Sequence, residues 1–407
     1  MLTKKNIFKF LFFYLLSWLF LIIVSEIAET KFFQLFTIEE IGNPDLEWND
    51  LHYKSVDVYN NSHYTKEKSV VLINSGSLNK DSFRLELAEV ITKLKKINAK
   101  AIGIDHQFPA NPDEEKIGTK ELIKSINANP KIVIGYIEDV DNPNKLSKEL
   151  KLMTIKGKAD FPDDYTIRTY YDQSSTFAHQ LVKTAFPNKL KKINHEAEHP
   201  PFTINYSCVN DGLVEFSNTT DRLHSINFKY IEAKDFINEN DSGFNHSFTE
   251  TFKNKIVIIG HLGSNLIEKK FDIQDKYAVP TDTSKIMLRD KTMNGAVIHA
   301  NAIENILHPD SKFKELHGFW HVLLHQLLII GFLLLLFLHL GKLLNILILI
   351  AISIPYSLLI IKLMDYNIYI TMSSTLLHLL FVEEFYEILE PLYKKVINLK
   401  KIENHEK

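Results

Sequence analysis

The sequence predicts an α/β domain carried between membrane helices, and three observations predict it. Apolar residues gather at the two ends of the 407-residue chain, although its average composition, 24% charged and 45% hydrophobic, is that of a soluble protein. Between those ends, short β-branched runs alternate with segments whose apolar residues recur at helical spacing. The last of these, "MNGAVIHANAIENIL" (Met293 to Leu307), is followed almost at once by "FWHVLLHQLLIIGFLLLLFL", which no soluble domain exposes.

Taken in order, "FKFLFFYLLSWLFLIIV" (Phe8 to Val24) carries one charge, Lys9, and is long enough to cross a hydrocarbon core roughly 30 Å thick as a helix. Lys4, Lys5 and Lys9 would also suit a cleaved signal peptide. The following "SEIAETKFFQLF" offers no clear small-x-small cleavage site, and the apolar stretch is long for such a leader, so an uncleaved anchor is the preferred reading. Three further spans are expected at about Phe319 to Leu340, Leu343 to Met364 and Tyr366 to Val382, joined by connections so short that they form tight hairpins.

Charge then sets the orientation. Lysines precede the first span while Glu26, Glu29, Glu39 and Glu40 follow it, which places the N-terminus in the cytoplasm. Three more crossings return a tail bearing Lys394, Lys395, Lys400 and Lys401 to the same side. The expected layout is a cytoplasmic N-terminus and first span (1–26), an extracytoplasmic domain (27–316), a three-helix bundle (317–382) and a cytoplasmic amphipathic tail (383–407), in a multi-pass protein of the cytoplasmic (inner) membrane.

Within the exported domain, "VVLI" (Val70 to Ile73) reads as a strand ending in the turn "NSGS". "RLELAEVITKLKKIN" reads as a helix with apolar Leu85, Leu87, Val90, Ile91, Leu94 and Ile97 at helical spacing, and "AKAIGID" as a second buried strand. A helix in "KELIKSINAN" and a strand in "KIVIGYI" (Lys131 to Ile137) complete a βαβαβ series, and such continuous apolar runs mark a mostly parallel sheet covered on both faces. "FTINYS" (Phe202 to Ser207) and Ile256 to Ile259 are later strands. The stretch from about Ile137 to Pro200 is less regular and suggests an insertion or a small antiparallel element. One cysteine, Cys208, excludes an intrachain disulfide framework, and a net charge of −3 gives no sign of a nucleic-acid partner.

In that order, "VVLINSGSL", "AKAIGIDHQFP", "GKADFPDDYTIRTYYDQSSTFAHQLVKTAF", "INYS", "KIVIIGHLG" and "NGAVIHANAIENIL" resemble the type-two CHASE domain, an extracellular sensory domain associated with bacterial cyclases and histidine kinases. The resemblance covers roughly residues 35 to 315, and the layout of one span before and three after is similar to that family. The chain departs from the family at "FDIQDKYAVPTD" (Phe271 to Asp282), where Asp272 and Pro280 stand in place of a cleaner Asp-to-Thr-Pro stretch. It departs again in having only about 25 residues after the last expected span, too few for a fused catalytic module. The resemblance and an apolar stripe in the tail together imply a homodimer.

Four residues are candidate ligand contacts. Asp105 ends a strand where open α/β sheets place ligands, although it could instead cap a neighbouring loop. Gly260 and Gly263 could present backbone N–H groups to an anion, or simply make a tight turn; the lysine of a phosphate-binding loop is absent. His299 occupies a signature position of the resemblance and is either a sensing residue or a satisfied core histidine.

His317, His321 and His325, with His378 further on, are weak candidates for metal or haem, set against interfacial anchoring and interhelical hydrogen bonding. Pro355 should kink its span. In the tail, Phe385, Leu389, Leu392, Val396 and Leu399 form one apolar stripe, which suits self-association, a cytoplasmic effector or the membrane surface. No catalytic motif is present, so neither an enzyme nor a cofactor is expected. The expected function is a membrane-anchored sensor that relays an unidentified small ligand or envelope component to a separate partner. The alternatives are a membrane effector or pore component gated by the exported domain, and a histidine-ligated metal or haem protein.

Overall fold

The computed structural model describes residues 11–15, 67–106, 108, 116–136, 155–161, 167, 169–171, 173–189, 202–208, 213–215, 227–239, 246–263, 276–277, 279, 293–315, 319–336, 342–369 and 391. The chain divides into two compact units, Tyr53–Phe313 and a second built from Met1–His52 and Lys314–Lys407.

The first unit opens with β1 (Val70–Asn74), all five residues buried, and helix α1 (Phe83–Ile97). Glu86 tightens the start of α1, accepting from Ser82 Oγ and from the Asn79 N–H, both at 2.9 Å. Asn98 stops the helix by turning left-handed at φ 63°, its N–H bonding the carbonyls of Leu94 and Lys95. The chain continues through β2 (Ala101–Asp105), α2 (Lys116–Asn127), β3 (Ile132–Tyr136), β4 (Ile155–Lys158), β5 (Thr169–Tyr170), α3 (Phe177–Ala185) and β6 (Phe202–Thr203). It ends with β7 (Leu213–Glu215), β8 (Phe228–Glu232), α4 (Ala233–Asn238), α5 (His246–Phe252), β9 (Ile256–Gly260), β10 (Lys276–Tyr277), β11 (Met293–Asn294) and α6 (Gly295–Leu307).

Seven of these strands form one sheet in the order β4-β3-β2-β9-β1-β8-β7, and every pairing in it is parallel. Alternate strand residues face two layers. Val71, Ile73, Ile102, Ile104, Val257 and Ile259 pack with α1, α2, α4 and α5, while α3 and α6 cover the other face. The mostly parallel α/β domain expected from the sequence is present.

One local expectation is corrected and another is met in part. "FTINYS" is not a strand of the main sheet: only Phe202–Thr203 pair, antiparallel with β5, and the following residues are held by side chains of α6. The irregular stretch supplies β5 to the expected small antiparallel element, and contains besides it an edge strand, β4, and a helix, α3. Helix α3 can seat closely because Gly157 and Gly103 lie beneath it; a Cβ on Gly157 would stand 2.4 Å from the Phe177 Cα.

In the second unit, residues 11–15 are helical, and the Tyr14 hydroxyl donates to Gln326 Oε1. Strand β12 (Lys314–Glu315) leads to α7 (Phe319–Leu336), α8 (Lys342–Met364) and β13 (Ile368–Tyr369). Strands β12 and β13 pair in parallel, and the Lys314 N–H bonds the Asn367 carbonyl at 2.7 Å. The third C-terminal span, expected from about Tyr366, therefore starts as a turn and a short strand, because Asn367 turns left-handed at φ 60° and the backbone beyond it pairs with the connector.

Among the fully described residues no helix is long and apolar enough to cross a membrane, so the expected count of one N-terminal and three C-terminal transmembrane helices is unsupported. Most of the first expected span, residues 370–382, and all of the tail except residue 391 lie outside the described residues. Pro355 stands inside α8.

Candidate functional site at the carboxyl edge of the sheet

Because the sheet is parallel, its strands end together. Register places Asp105, Gly260, Asn74 and Glu232 in one row across β2, β9, β1 and β8. Asn74 organises that row. Its Oδ1 accepts from the N–H groups of Gly76 (2.9 Å) and Leu262 (2.8 Å), and its Nδ2 donates to Glu232 Oε2 and the Gly263 carbonyl, both at 2.8 Å. The Leu262 N–H is thus already engaged in holding the glycine turn. Gly263 itself lies at φ 100°, a conformation that glycine reaches without strain.

One residue beyond the ends of β1, β2 and β9 stand Ser75, His106 and His261. Ser75 Oγ and His106 Nε2 are 2.5 Å apart. Burial, reinforced by the neighbouring His261, lowers the His106 pKa to about 4, so its ring is neutral at ordinary pH. A serine beside a neutral imidazole has the chemistry of a nucleophile and its base. Ser75 itself is only 2% exposed. Among the described residues no group of three or more His, Cys, Asp or Glu side chains is arranged to hold a metal.

The start of α6 meets this edge. A Cβ on Gly260 would lie 2.8 Å from the Ala296 Cβ and 3.6 Å from the Asp105 Cβ, so glycine is what allows the helix start and Asp105 to approach the same strand end. Asn294 precedes the helix without capping it, and its Oδ1 is buried with no hydrogen-bond partner.

His299 lies just over one turn into α6 and is enclosed. Its Nδ1 is 2.8 Å from the Tyr170 hydroxyl, which also accepts from the Ala178 N–H at 3.3 Å. The ring stacks on Phe161 at 4.7 Å and meets Phe177 edge-on at 5.0 Å. Burial lowers its pKa to about 3 and raises that of Tyr170, whose environment includes the negative charges of Asp105 and Asp160. The structure thus gathers Asp105, Gly260 and Gly263 at one edge and places His299 in aromatic packing around Tyr170. His317 and His378 lie outside the described residues, as do Asp272 and Pro280, and only the backbone of His321 and His325 in α7 is described.

Every residue of α6 is buried, including its polar ones. Asn305 takes the place of a neighbouring strand: its Oδ1 accepts from the Asn205 N–H (2.9 Å) and its Nδ2 donates to the Asn205 carbonyl (2.8 Å). One turn earlier, Asn301 accepts from the Ser207 N–H at 2.9 Å and donates to Cys208 Sγ at 3.2 Å. Glu304 accepts from the N–H groups of Ser69 and Val70, where β1 begins. Helix α6 therefore runs the full depth of the sheet, from the strand ends at Gly260 to the start of β1. Its asparagines were visible in the sequence at i, i+4 on an apolar helix, a spacing that signals paired polar contacts, and Asn74 was visible within a turn motif.

A family model of the CHASE2 domain matches residues 35–338, three quarters of the chain, and includes the whole of this arrangement. The chain belongs to the CHASE2 family. No curated protein and no solved structure matches it. CHASE2 is a sensory domain family, and in this member both the row at the carboxyl edge and the buried helix α6 are held by polar side chains.

Proposed function

We propose that this CHASE2 protein is a membrane-anchored sensor. The unit Tyr53–Phe313 lies outside the cytoplasm, binds a small ligand or envelope component at the carboxyl edge beside Asp105 and Gly260, and relays binding through α6 to the helices that follow. The observation that carries this reading is the path of α6. Its start touches the strand ends through Ala296, its end holds the start of β1 through Glu304, and the chain then passes in a few residues to β12 and α7. A rigid helix fastened at both ends is the element whose displacement reaches the connector.

Several features support membrane anchoring. The sequence of α7 contains no Asp, Glu, Lys or Arg, and that of α8 contains only Lys342 and Lys362. Leu327, Leu334, Leu347, Ile354 and Leu358 are exposed on them, as apolar side chains facing lipid or partner helices would be. The positive charges at both ends favour cytoplasmic termini, and the apolar stripe of the tail favours a dimer or the docking of a separate effector.

The deciding experiment is crosslinking from native membranes, comparing the intact chain with one truncated after Glu384. A kinase, cyclase or other effector recovered only with the intact tail supports the relay. Equal recovery from both chains, together with ion flux on expression, favours the self-contained membrane effector.

A further inference from the structure

Glu304 occupies a place where a carboxyl group costs free energy unless it is used. It is 6% exposed, in a helix whose other residues are apolar, amide-bearing or neutral. Its Oε1 accepts from the N–H groups of Ser69 and, at 3.2 Å, Val70. Its Oε2 stands 3.7 Å from Nε2 of His308, the residue that ends α6 and is 25% exposed. The carboxyl group therefore joins the first residues of the sheet to the last turn of the exit helix, with an imidazole between it and solvent.

The other charged groups around it are few. Lys68 donates to the Ser207 carbonyl and lies near both Cys208 and Glu304. Lys255 reaches the Lys68 carbonyl at 2.7 Å and Glu67 at 2.6 Å, and Lys229 adds its charge at Glu67. Lys189 approaches the Leu307 carbonyl at 3.4 Å.

We propose that Glu304, with the His308 ring 3.7 Å away, is a proton-binding site, and that its proton is a signal the domain reads. With the proton bound, the carboxyl group carries no charge and fastens the exit end of α6 to β1. When the proton passes from Glu304 to solvent, a buried carboxylate remains, and the fastening weakens. The inference rests on the reading of α6 as the relay helix and assigns that relay its regulation.

Burial raises the Glu304 pKa, against the opposing pull of the Ser69 N–H and Lys68. A raised folded-state value means that stability is present at low pH and lost as pH rises through it. The window therefore opens above the ordinary glutamate value of 4.5.

The test is amide hydrogen exchange on the full chain in detergent, between about pH 5.5 and 8.5, corrected for the intrinsic pH dependence of exchange. Protection of the Ser69 and Val70 amides should fall about tenfold or more across that range, while that of Ile134 in β3 stays level. Glu304→Gln keeps an oxygen for both N–H groups and cannot lose a proton, so its protection should be independent of pH. A flat wild-type profile, or an unchanged pH dependence in Glu304→Gln, overturns the proposal. If Glu304→Gln also lowers protection at Ile134, because the unit has loosened as a whole, His308→Gln decides: an unshifted midpoint overturns the proposal and a displaced one supports it. The readout involves no partner, so an intact latch in a chain whose tail recruits no effector would overturn the relay alone.

Discussion

At the scale of single residues, buried polar side chains carry most of the specificity. Asn74 makes four hydrogen bonds that tie three strand ends and a glycine turn together, so Asn74→Ala leaves several buried partners unsatisfied. It should destabilise the unit by about 2–4 kcal/mol, measured as a lowered denaturant midpoint of the full chain in detergent. The buried histidines predict a pH response of opposite sign to that of Glu304. His106 and His299 have folded-state pKa values lowered to about 4 and about 3 by burial, below the ordinary histidine value of 6.5. Their stabilisation is complete above about pH 6.5 and is lost as pH falls through those lower values. In Glu304→Gln, where the opposing carboxyl response is absent, thermal midpoints should therefore drop progressively between about pH 6.5 and 4; a level profile there would show that both rings accept a proton without penalty.

At the scale of elements, α6 is a helix buried all round, and its seating depends on shape and on amides. Asn305 serves both backbone groups of Asn205, a pairing that requires one acceptor and one donor on the same side chain. Asn305→Asp keeps the acceptor and puts a carboxylate oxygen against the Asn205 carbonyl. The expected cost is about 1–3 kcal/mol, accompanied by faster exchange of the Asn205 amide. At the other end of the helix, Gly260→Ala would push a methyl group to 2.8 Å from the Ala296 Cβ. Strand and helix must separate by a few tenths of an ångström, with a loss of about 1–3 kcal/mol in the same unfolding measurement. A matching loss from Ala296→Gly in the wild-type background, relieved when combined with Gly260→Ala, would identify steric contact as the cause.

At the scale of the whole molecule, the order of the strands matters. Strand β9 joins the sheet between β1 and β2, more than 150 residues away in sequence, so the centre of the sheet closes only when most of the unit has been made. Refolding should be slow, and a chain ending before Ile256 should yield no protected core, a result checked by proteolysis of the truncated product. Membrane anchoring predicts that the chain stays with the membrane fraction on alkaline carbonate extraction. It also predicts that a reporter fused at the C-terminus is active only in the cytoplasm.

The sequence by itself determined the class of the domain and where its chemistry could lie. Buried parallel strands show as continuous β-branched runs, amphipathic helices show as a 3.6-residue period, and a strand end rich in Asp and Gly marks the carboxyl edge; all three are local patterns. Val70–Asn74, Ala101–Asp105 and Ile256–Gly260 were legible for that reason, as was the Asp105–Gly260 edge. Only the tertiary structure decided that β9 separates β1 from β2, that Ile204–Ser207 is held by amides of α6 rather than by the main sheet, and that Asn74 and Glu304 are junctions. The physical reason is that their partners lie about 90 to 240 residues away in the chain. A pairing across such a distance leaves no period in the sequence and exists only once the backbone has brought the two groups within hydrogen-bonding range.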